Sequence, residues 1–166
     1  TGEEVTFEEL GGAITHASKS GVAHFTSDGE EACLEDARYL LAYLPQNNAE
    51  DPPQIQPYDP ADRADEALDH LIPEVENQTY DMREVVERVF DRGSFLELQP
   101  HYAANALTGF ARLDGHAVGI VANQPAHMAG ALDIDASDKI SRFIRICDAY
   151  NVPVVTFVDC PGFLPG

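Results

Sequence analysis

The clearest pattern in the chain is a pair of apolar runs in ALTGFARLDGHAVGIVAN, joined at Asp114-Gly115. Asp-Gly is the preferred dipeptide of a two-residue type I′ turn, so this pattern predicts an antiparallel β-hairpin. The later segment DASDKISRFIRICDAYN has helical spacing and predicts a helix capped by Asp135 or Ser137. The buried face of that helix is expected to comprise Ile140, Phe143, Ile144 and Cys147.

The last apolar run, VPVVTFVD, shows no polar alternation. Such a run is typical of a parallel strand that is covered on both faces. A strand, a helix and a second parallel strand form a βαβ crossover, which is almost always right-handed. The fold class predicted from these elements is α/β.

The chain is expected to begin with short helices. Thr6 precedes Glu9 by three residues, a capping-box spacing, which predicts a helix that opens at Phe7. The pair Gly11-Gly12 is expected to end this helix as a C-cap. The stretch GVAHF that follows predicts a short strand.

Two longer amphipathic segments predict further helices. GEEACLEDARYLLAYL is expected to be capped by Ser27 or Asp28 and stopped by Pro45. DMREVVERVFD is expected to be a helix with its apolar residues on one side, closed by Gly93. SFLELQP then predicts a strand.

The proline-rich stretch between these segments indicates a boundary. Residues 51–61 are polar, rich in proline and without hydrophobic periodicity, so they are predicted to be a linker. The segment ADRADEALDHLI predicts a short helix before Pro73.

The charge balance excludes some classes of partner. Asp and Glu number 29 against 10 for Lys and Arg, which gives a net charge of −19. Such a surface repels nucleic acid and anionic membranes, so neither is expected as a partner. The acids are spread along the chain, which favours adaptation to a high-salt cytoplasm over the alternative of a merely solvated acidic surface.

Cysteine and histidine spacing gives no support to disulfides or metals. The three cysteines show no CxxC spacing and the six histidines are scattered, so no metal site is predicted. The chain has no apolar stretch long enough for a membrane helix and no basic-then-apolar leader. These features indicate a cytoplasmic protein.

The final turn, VDCPGFLPG, is the strongest candidate for chemistry. Ligands of open α/β sheets bind beyond the carboxyl ends of strands, and glycine lets the backbone approach them closely. The sequence from Cys160 to Phe163 is suited to presenting a backbone amide to an anion or a developing oxyanion. The alternative is an ordinary tight turn.

Two long stretches resemble a known family. TGEEVTFEELGGAITHASKSGVAHF and VANQPAHMAGALDIDASDKISRFIRICDAYNVPVVTFVDCPGFLPG resemble the carboxyltransferase (beta) subunit of biotin-dependent acyl-CoA carboxylases, of the propionyl-CoA carboxylase and methylmalonyl-CoA transcarboxylase type. The resemblance implies an α/β fold of the crotonase (ClpP-like) superfamily, built from ββα repeats. It also implies partial pieces of two tandem domains. Residues 1–50 would be the C-terminal end of the N-terminal domain and residues 62–166 the start of the C-terminal domain, with residues 51–61 as the linker between them.

The resemblance implies carboxyl transfer from carboxybiotin to the α carbon of an acyl-CoA, propionyl-CoA or acetyl-CoA. The alternatives are a decarboxylase or transcarboxylase of the same family, or a non-catalytic fragment. Biotin would be carried by a partner domain or subunit and not bound covalently to this chain. Expected partners are the acyl-CoA substrate, the biotin carboxyl carrier, the biotin carboxylase subunit and further copies of the chain in a dimer-based homo-oligomer, such as a hexamer. Family members are much longer, so this chain alone is expected to be inactive.

The resemblance also supplies the candidate site residues. The backbone amides of Gly162 and Phe163 would be the oxyanion donors for the biotin carbonyl. A weaker set of substrate-pocket candidates comprises Asn123, Gln124, Pro125, Pro161 and Leu164. Cys160 could be a nucleophile, but no histidine lies near it in sequence, so it is interpreted as a small core residue.

Overall fold

A computed structural model describes residues 2, 4–75 and 78–165. The helices are α1 (Phe7–Gly11), α2 (Ala13–Ser18), α3 (Glu30–Leu41), α4 (Leu68–Leu71), α5 (Met82–Val89) and α6 (Ile134–Ala149), with a 3₁₀ helix at Met128–Gly130. The strands are β1 (Leu96–Leu98), β2 (Ala106–Leu113), β3 (His116–Asn123) and β4 (Val154–Phe157). In these residues the strands form one sheet in the order β1-β2-β3-β4, so the α/β class is confirmed.

The predicted hairpin is present as β2 and β3. They pair antiparallel from Ala106 opposite Asn123 to Leu113 opposite His116. Asp114 and Gly115 both have positive φ, 51° and 76°, as a type I′ turn requires. The two-residue loop therefore fixes the register of the central strands.

The crossover is also confirmed, with a different cap. α6 connects β3 to β4, which pair in parallel. The N-cap is Asp133, whose carboxylate accepts from the Ala136 N–H at 2.9 Å, and not Asp135 or Ser137 as the sequence predicted. The helix begins earlier because the extended backbone of Asp133 places its side chain over the first turn; Asp135 lies within that turn and Ser137 donates back to the Asp133 carbonyl.

The sheet separates two apolar clusters. One contains Tyr43, Phe110 and Phe143, with Tyr43 stacked on Phe110 at 5.8 Å between ring centroids. The other contains Met82, Val86 and Phe90 of the α5 region. The helices α3 and α6 thus cover one face of the hairpin and α5 the other.

Two burial predictions were wrong. Val154 and Thr156 of β4 are exposed while Val155 and Phe157 are partly buried, because the described residues cover only the α5 side of this edge strand. On α6, Phe143 and Cys147 are buried and Ile140 is partly buried, as expected. Ile144 is exposed, because its helical position is at the edge of the face formed by Phe143 and Cys147.

Residues 21–25 are an irregular loop and not the predicted strand. The Gln99 backbone N–H donates to the His24 carbonyl, and the Gln99 side chain donates to the Gly21 carbonyl. Both bonds come from one residue, Gln99, so they anchor a loop and do not form the repeated backbone pairing of a β-strand. The short helix α2 precedes this loop and was not predicted.

The caps and the linker helix also differ from the prediction. Gly29 is the N-cap of α3, because the Ser27 hydroxyl donates instead to the Asp36 carboxylate at 2.6 Å. By contrast, the Thr6–Glu9 capping box is present as predicted. The helix predicted from ADRADEALDHLI is restricted to the single turn of α4, and the residues before it form turns. In the described part of the chain, no helix is both long enough and apolar enough to cross a bilayer.

Two buried cations connect distant segments through backbone carbonyls. Arg112 donates to the carbonyls of Ala42, Pro53 and Gly115 at 2.7–2.9 Å, and its guanidinium lies 4.7 Å from the Tyr43 ring centroid. It therefore ties the end of α3 and the proline-rich segment to the hairpin.

Lys139, 2% exposed on α6, is the second buried cation. Its ammonium donates to the carbonyls of Gln99 at 2.9 Å and of Tyr102 and Ala106 at 2.8 Å. Burial lowers the pKa of Lys139 to about 8, so at pH 7 the group is still mostly protonated and can donate all three bonds. Lys139 fixes the path of the loop between β1 and β2.

We predict that Lys139→Met destabilises the full-length protein by about 3 kcal/mol, because three buried carbonyls lose their donor. A fall in the midpoint of urea unfolding measures the effect. Lys19→Met is the matched control, since Lys19 is exposed and its loss should cost less than about 0.5 kcal/mol. Equal midpoints for the two variants would contradict the role given to Lys139.

Candidate functional site

The terminal turn lies beyond the carboxyl end of β4, where the sequence placed the candidate site. Leu132 and Phe163 form an isolated parallel bridge. The Leu132 N–H donates to the Gly162 carbonyl at 3.2 Å, and the Leu164 N–H donates to the Leu132 carbonyl at 2.8 Å. The turn is therefore held against the segment that precedes α6.

The amides of Gly162 and Phe163 are available for a ligand. In a parallel bridge the bonds to Leu132 come from the residues that flank Phe163, so the N–H of Phe163 points to the opposite side. Within the described residues, neither the Gly162 nor the Phe163 N–H donates a hydrogen bond. Both groups can therefore serve as donors to an oxygen that approaches the turn.

Nothing in the described structure requires glycine at position 162. Its φ lies outside the left-handed region that favours glycine, and a Cβ built there has no neighbour within 4 Å among the described residues. The space beside Gly162 is therefore open to whatever approaches the two amides.

Asn123 and Gln124, two of the substrate-pocket candidates, are buried behind the turn. The Asn123 side chain donates to the Gly130 carbonyl at 2.8 Å and accepts from the Asp159 N–H at 3.3 Å. Gln124 is fully buried; its side chain accepts from the Met82 N–H and donates to the Asp81 carboxylate at 2.6 Å. Both carboxamides thus bind other parts of the protein.

The remaining candidates divide by exposure. Pro125 is buried beside Gln124, whereas Pro161 and Leu164 are exposed on the turn itself. Cys160 is partly buried, so it is not the core residue that the sequence suggested. Its thiol donates to the Gly162 carbonyl at 3.2 Å. Among the residues described here, no cluster of His, Cys, Asp and Glu could hold a metal ion.

Three positions at the site were missed by sequence reasoning. The Tyr80 hydroxyl donates to the Asp159 carboxylate at 2.6 Å, and burial together with that carboxylate raises the pKa of Tyr80. Gly130, with φ 78°, packs directly on the Asp159 backbone. Asp159 lies two residues beyond the end of β4, so its place just after a strand was a usable signal; no sequence pattern marked Tyr80 or Gly130.

Comparison with known proteins identifies the family of this chain. The family profile named Carboxyl transferase domain matches residues 1–166. The chain belongs to the carboxyl transferase domain family. This carboxyl transferase domain is 57% identical to the propionyl-CoA carboxylase carboxyltransferase subunit of Haloferax mediterranei, with all of the chain and 32% of that relative covered.

Two further relatives are nearly as similar to this carboxyl transferase domain. Methylmalonyl-CoA decarboxylase subunit alpha of Veillonella parvula is 57% identical, over all of the chain and 33% of that protein. The biotin-dependent acetyl-/propionyl-coenzyme A carboxylase beta5 subunit of Mycobacterium tuberculosis is 54% identical, over all of the chain and 31% of that protein. The chain therefore spans about a third of the length of its curated relatives.

A solved structure shows the same fold. The transcarboxylase 12S hexamer, crystallised with methylmalonyl-coenzyme A and methylmalonic acid, matches with a TM-score of 0.94 and 45% identity, over 99% of this chain and 32% of that one. The crotonase assignment is thereby confirmed, and the described residues form part of that fold.

We predict that Gly130→Ala disturbs the site more than Gly93→Ala does. Both glycines have positive φ, 78° and 69°, so each substitution should cost about 1 kcal/mol in backbone strain. A Cβ at Gly130 would also lie 2.6 Å from the Asp159 carbonyl oxygen, whereas at Gly93 it meets nothing within 4 Å. Gly130→Ala should therefore cost about 1–3 kcal/mol more in unfolding free energy. Equal losses in urea unfolding would refute the tight contact with Asp159.

Proposed function

We propose that this chain is part of a subunit that transfers a carboxyl group from carboxybiotin to the α carbon of an acyl-CoA, propionyl-CoA or acetyl-CoA. The family match over all 166 residues supports the reaction class, and the carboxylase relatives support the substrates. The structural observation that carries the proposal is the pair of amides at Gly162 and Phe163, which donate no hydrogen bond among the described residues and lie beyond the end of β4.

The two amides fit a ligand oxygen that becomes negative during the reaction. Biotin, when bound, would supply the carboxyl group and a ureido oxygen that takes up negative charge. Fixed backbone donors stabilise such a charge without reorganising, and each contributes on the order of 3 kcal/mol. The bridge to Leu132 holds these donors in place, since it uses only the Gly162 carbonyl and the Leu164 N–H. In this proposal no side chain acts as a nucleophile.

The substrate pocket is proposed around the same turn. Pro161 and Leu164 are exposed and can face a ligand directly, while Asn123, Gln124 and Pro125 would shape the pocket from behind. Residues 1–50 are proposed to end one domain and 62–166 to begin the next, with 51–61 as the link. Tyr43 of the first segment packs on Phe110 of the second, so the proposed pieces are in direct contact.

The proposed partners follow from the relatives. A relative is named biotin-dependent, which supports biotin as the cofactor, and we place it on a carrier domain or subunit that also meets a biotin carboxylase subunit. Lys139 is buried with its ammonium bonded to carbonyls, so in this proposal it is not the lysine that carries biotin. The hexameric transcarboxylase supports a dimer-based homo-oligomer. We also propose a cytoplasmic location.

The direction of the overall reaction depends on the partners. A decarboxylase subunit and a carboxylase subunit are equally similar to this chain, at 57% identity. Exchange of a carboxyl group between an acyl-CoA and biotin is the half-reaction that both require. Transfer from methylmalonyl-CoA or malonyl-CoA to free biotin therefore tests the shared chemistry in the full-length subunit, and no transfer would favour a non-catalytic role.

We predict that one proline substitution in the turn abolishes most of this transfer. Phe163→Pro removes an N–H that makes no bond among the described residues, so the fold keeps its bridge to Leu132. If that N–H is the donor, kcat should fall about 10²- to 10³-fold. Gly162→Pro tests the neighbouring donor in the same way.

Alanine variants at the same positions are the matched controls. Phe163→Ala removes an exposed ring and Gly162→Ala adds a methyl group to open space, and both keep their N–H. Each should retain far more transfer than its proline counterpart. The donor role is wrong if both proline variants, folded as judged by their melting temperatures, transfer carboxyl groups at the normal rate.

A further inference from the structure

Asn123 connects two parts of the candidate site that are separate in sequence. It is the last residue of β3 and only 7% exposed. One end of its carboxamide donates to the Gly130 carbonyl and the other accepts from the Asp159 N–H. A carboxamide can make both bonds because it has a donor end and an acceptor end, whereas an ionised carboxylate could accept from Asp159 but could not donate to Gly130.

The segment that Asn123 contacts has an unusual backbone. Met128, Ala129 and Gly130 all have positive φ, between 51° and 78°. Residues with a Cβ disfavour this region, and such conformations persist only where surrounding contacts enforce them. The bond from Asn123 to Gly130 is one such contact, and the bond from Asn105 to the Ala131 carbonyl at 2.8 Å is another.

This strained segment leads directly to the turn whose Gly162 and Phe163 amides donate no bond within the described part of the chain. Two residues beyond Gly130, Leu132 pairs with the Gly162 carbonyl and the Leu164 N–H. Asn123 thus supports the turn at both ends: at Asp159 by a direct bond and at Gly162 through Gly130 and Leu132.

We propose that Asn123 is a positioning residue for carboxyl transfer, which sets the direction of the Gly162 and Phe163 amides without touching the substrate. This inference rests on the proposed function. Displacing a donor by about 1 Å costs far more in rate than in ground-state binding, because oxyanion donors act mainly in the transition state. Asn123 should therefore influence kcat and not the KM for acyl-CoA.

The test compares Asn123→Ala and Asn123→Asp in the full-length subunit, using transfer from methylmalonyl-CoA or malonyl-CoA to free biotin. Asp keeps the shape of Asn but presents an oxygen to the Gly130 carbonyl oxygen, so the donor is lost. Both variants should lower kcat about 10- to 100-fold, with the KM for acyl-CoA changed less than about 2-fold. If the Ala variant fails to fold, the kinetics of the isosteric Asp variant alone test the positioning role.

Asn151→Ala is the matched control for a loss of stability alone. The Asn151 carboxamide also bridges backbone groups, donating to the carbonyls of Asn48 at 2.8 Å and Glu50 at 3.2 Å. These partners lie just before the proline-rich segment, and the turn is not involved. Asn151→Ala should lower the melting temperature and keep the normal kcat.

The outcomes separate this inference from the proposed function. Normal kcat in both Asn123 variants overturns the inference and leaves the function standing. A raised KM at normal kcat also overturns it, since Asn123 would then act in acyl-CoA binding. An equal fall in kcat for Asn151→Ala overturns the inference as well, because the loss of rate would then reflect general destabilisation. Absence of transfer from either acyl-CoA in the unaltered subunit contradicts the proposed function itself.

Discussion

The site depends on a buried ammonium. Lys139 holds the carbonyls of Gln99, Tyr102 and Ala106, and so fixes the loop between β1 and β2. Asn105, the last residue of that loop, accepts from the Gln124 N–H at 2.9 Å and donates to the Ala131 carbonyl. These two contacts lie on either side of the strained segment at 128–130. One side chain of α6 therefore sets the path of the backbone that supports the candidate turn.

The two buried cations, Lys139 and Arg112, bind backbone carbonyls and not carboxylates, although the chain has a net charge of −19. A single carboxylate would neutralise a buried cation but join only two residues. Carbonyls each satisfy one donor, so Arg112 can join three separate segments and Lys139 can hold three points of one loop. The few cations of this protein that are buried thus organise its loops, while the acids remain mostly at the surface.

The sequence predicted the elements whose causes are local. The Asp114-Gly115 turn, the helical spacing of α5 and α6 and the Thr6–Glu9 box all lie within a few residues, and all were correct. The helix caps of α3 and α6 were assigned to neighbouring residues, but the errors in strands and burial arose where distant residues determine the structure. Residues 21–25 form a loop because Gln99 binds them, and the exposure of β4 depends on what lies beside it in the sheet.

The turn itself could be located from its Pro-Gly composition and its place after a strand, but composition could not identify its proposed donors. Every residue except proline carries an N–H, so a catalytic amide leaves no signature in the residue that provides it. What makes the Phe163 amide available is that Leu132 occupies the neighbouring polar groups. Tyr80 supports the same turn from 79 positions away, a contact that no local pattern reveals. In the proposed site, the residues whose identity matters are therefore those that fix the backbone, such as Asn123 and Gly130, and not the residues that would donate.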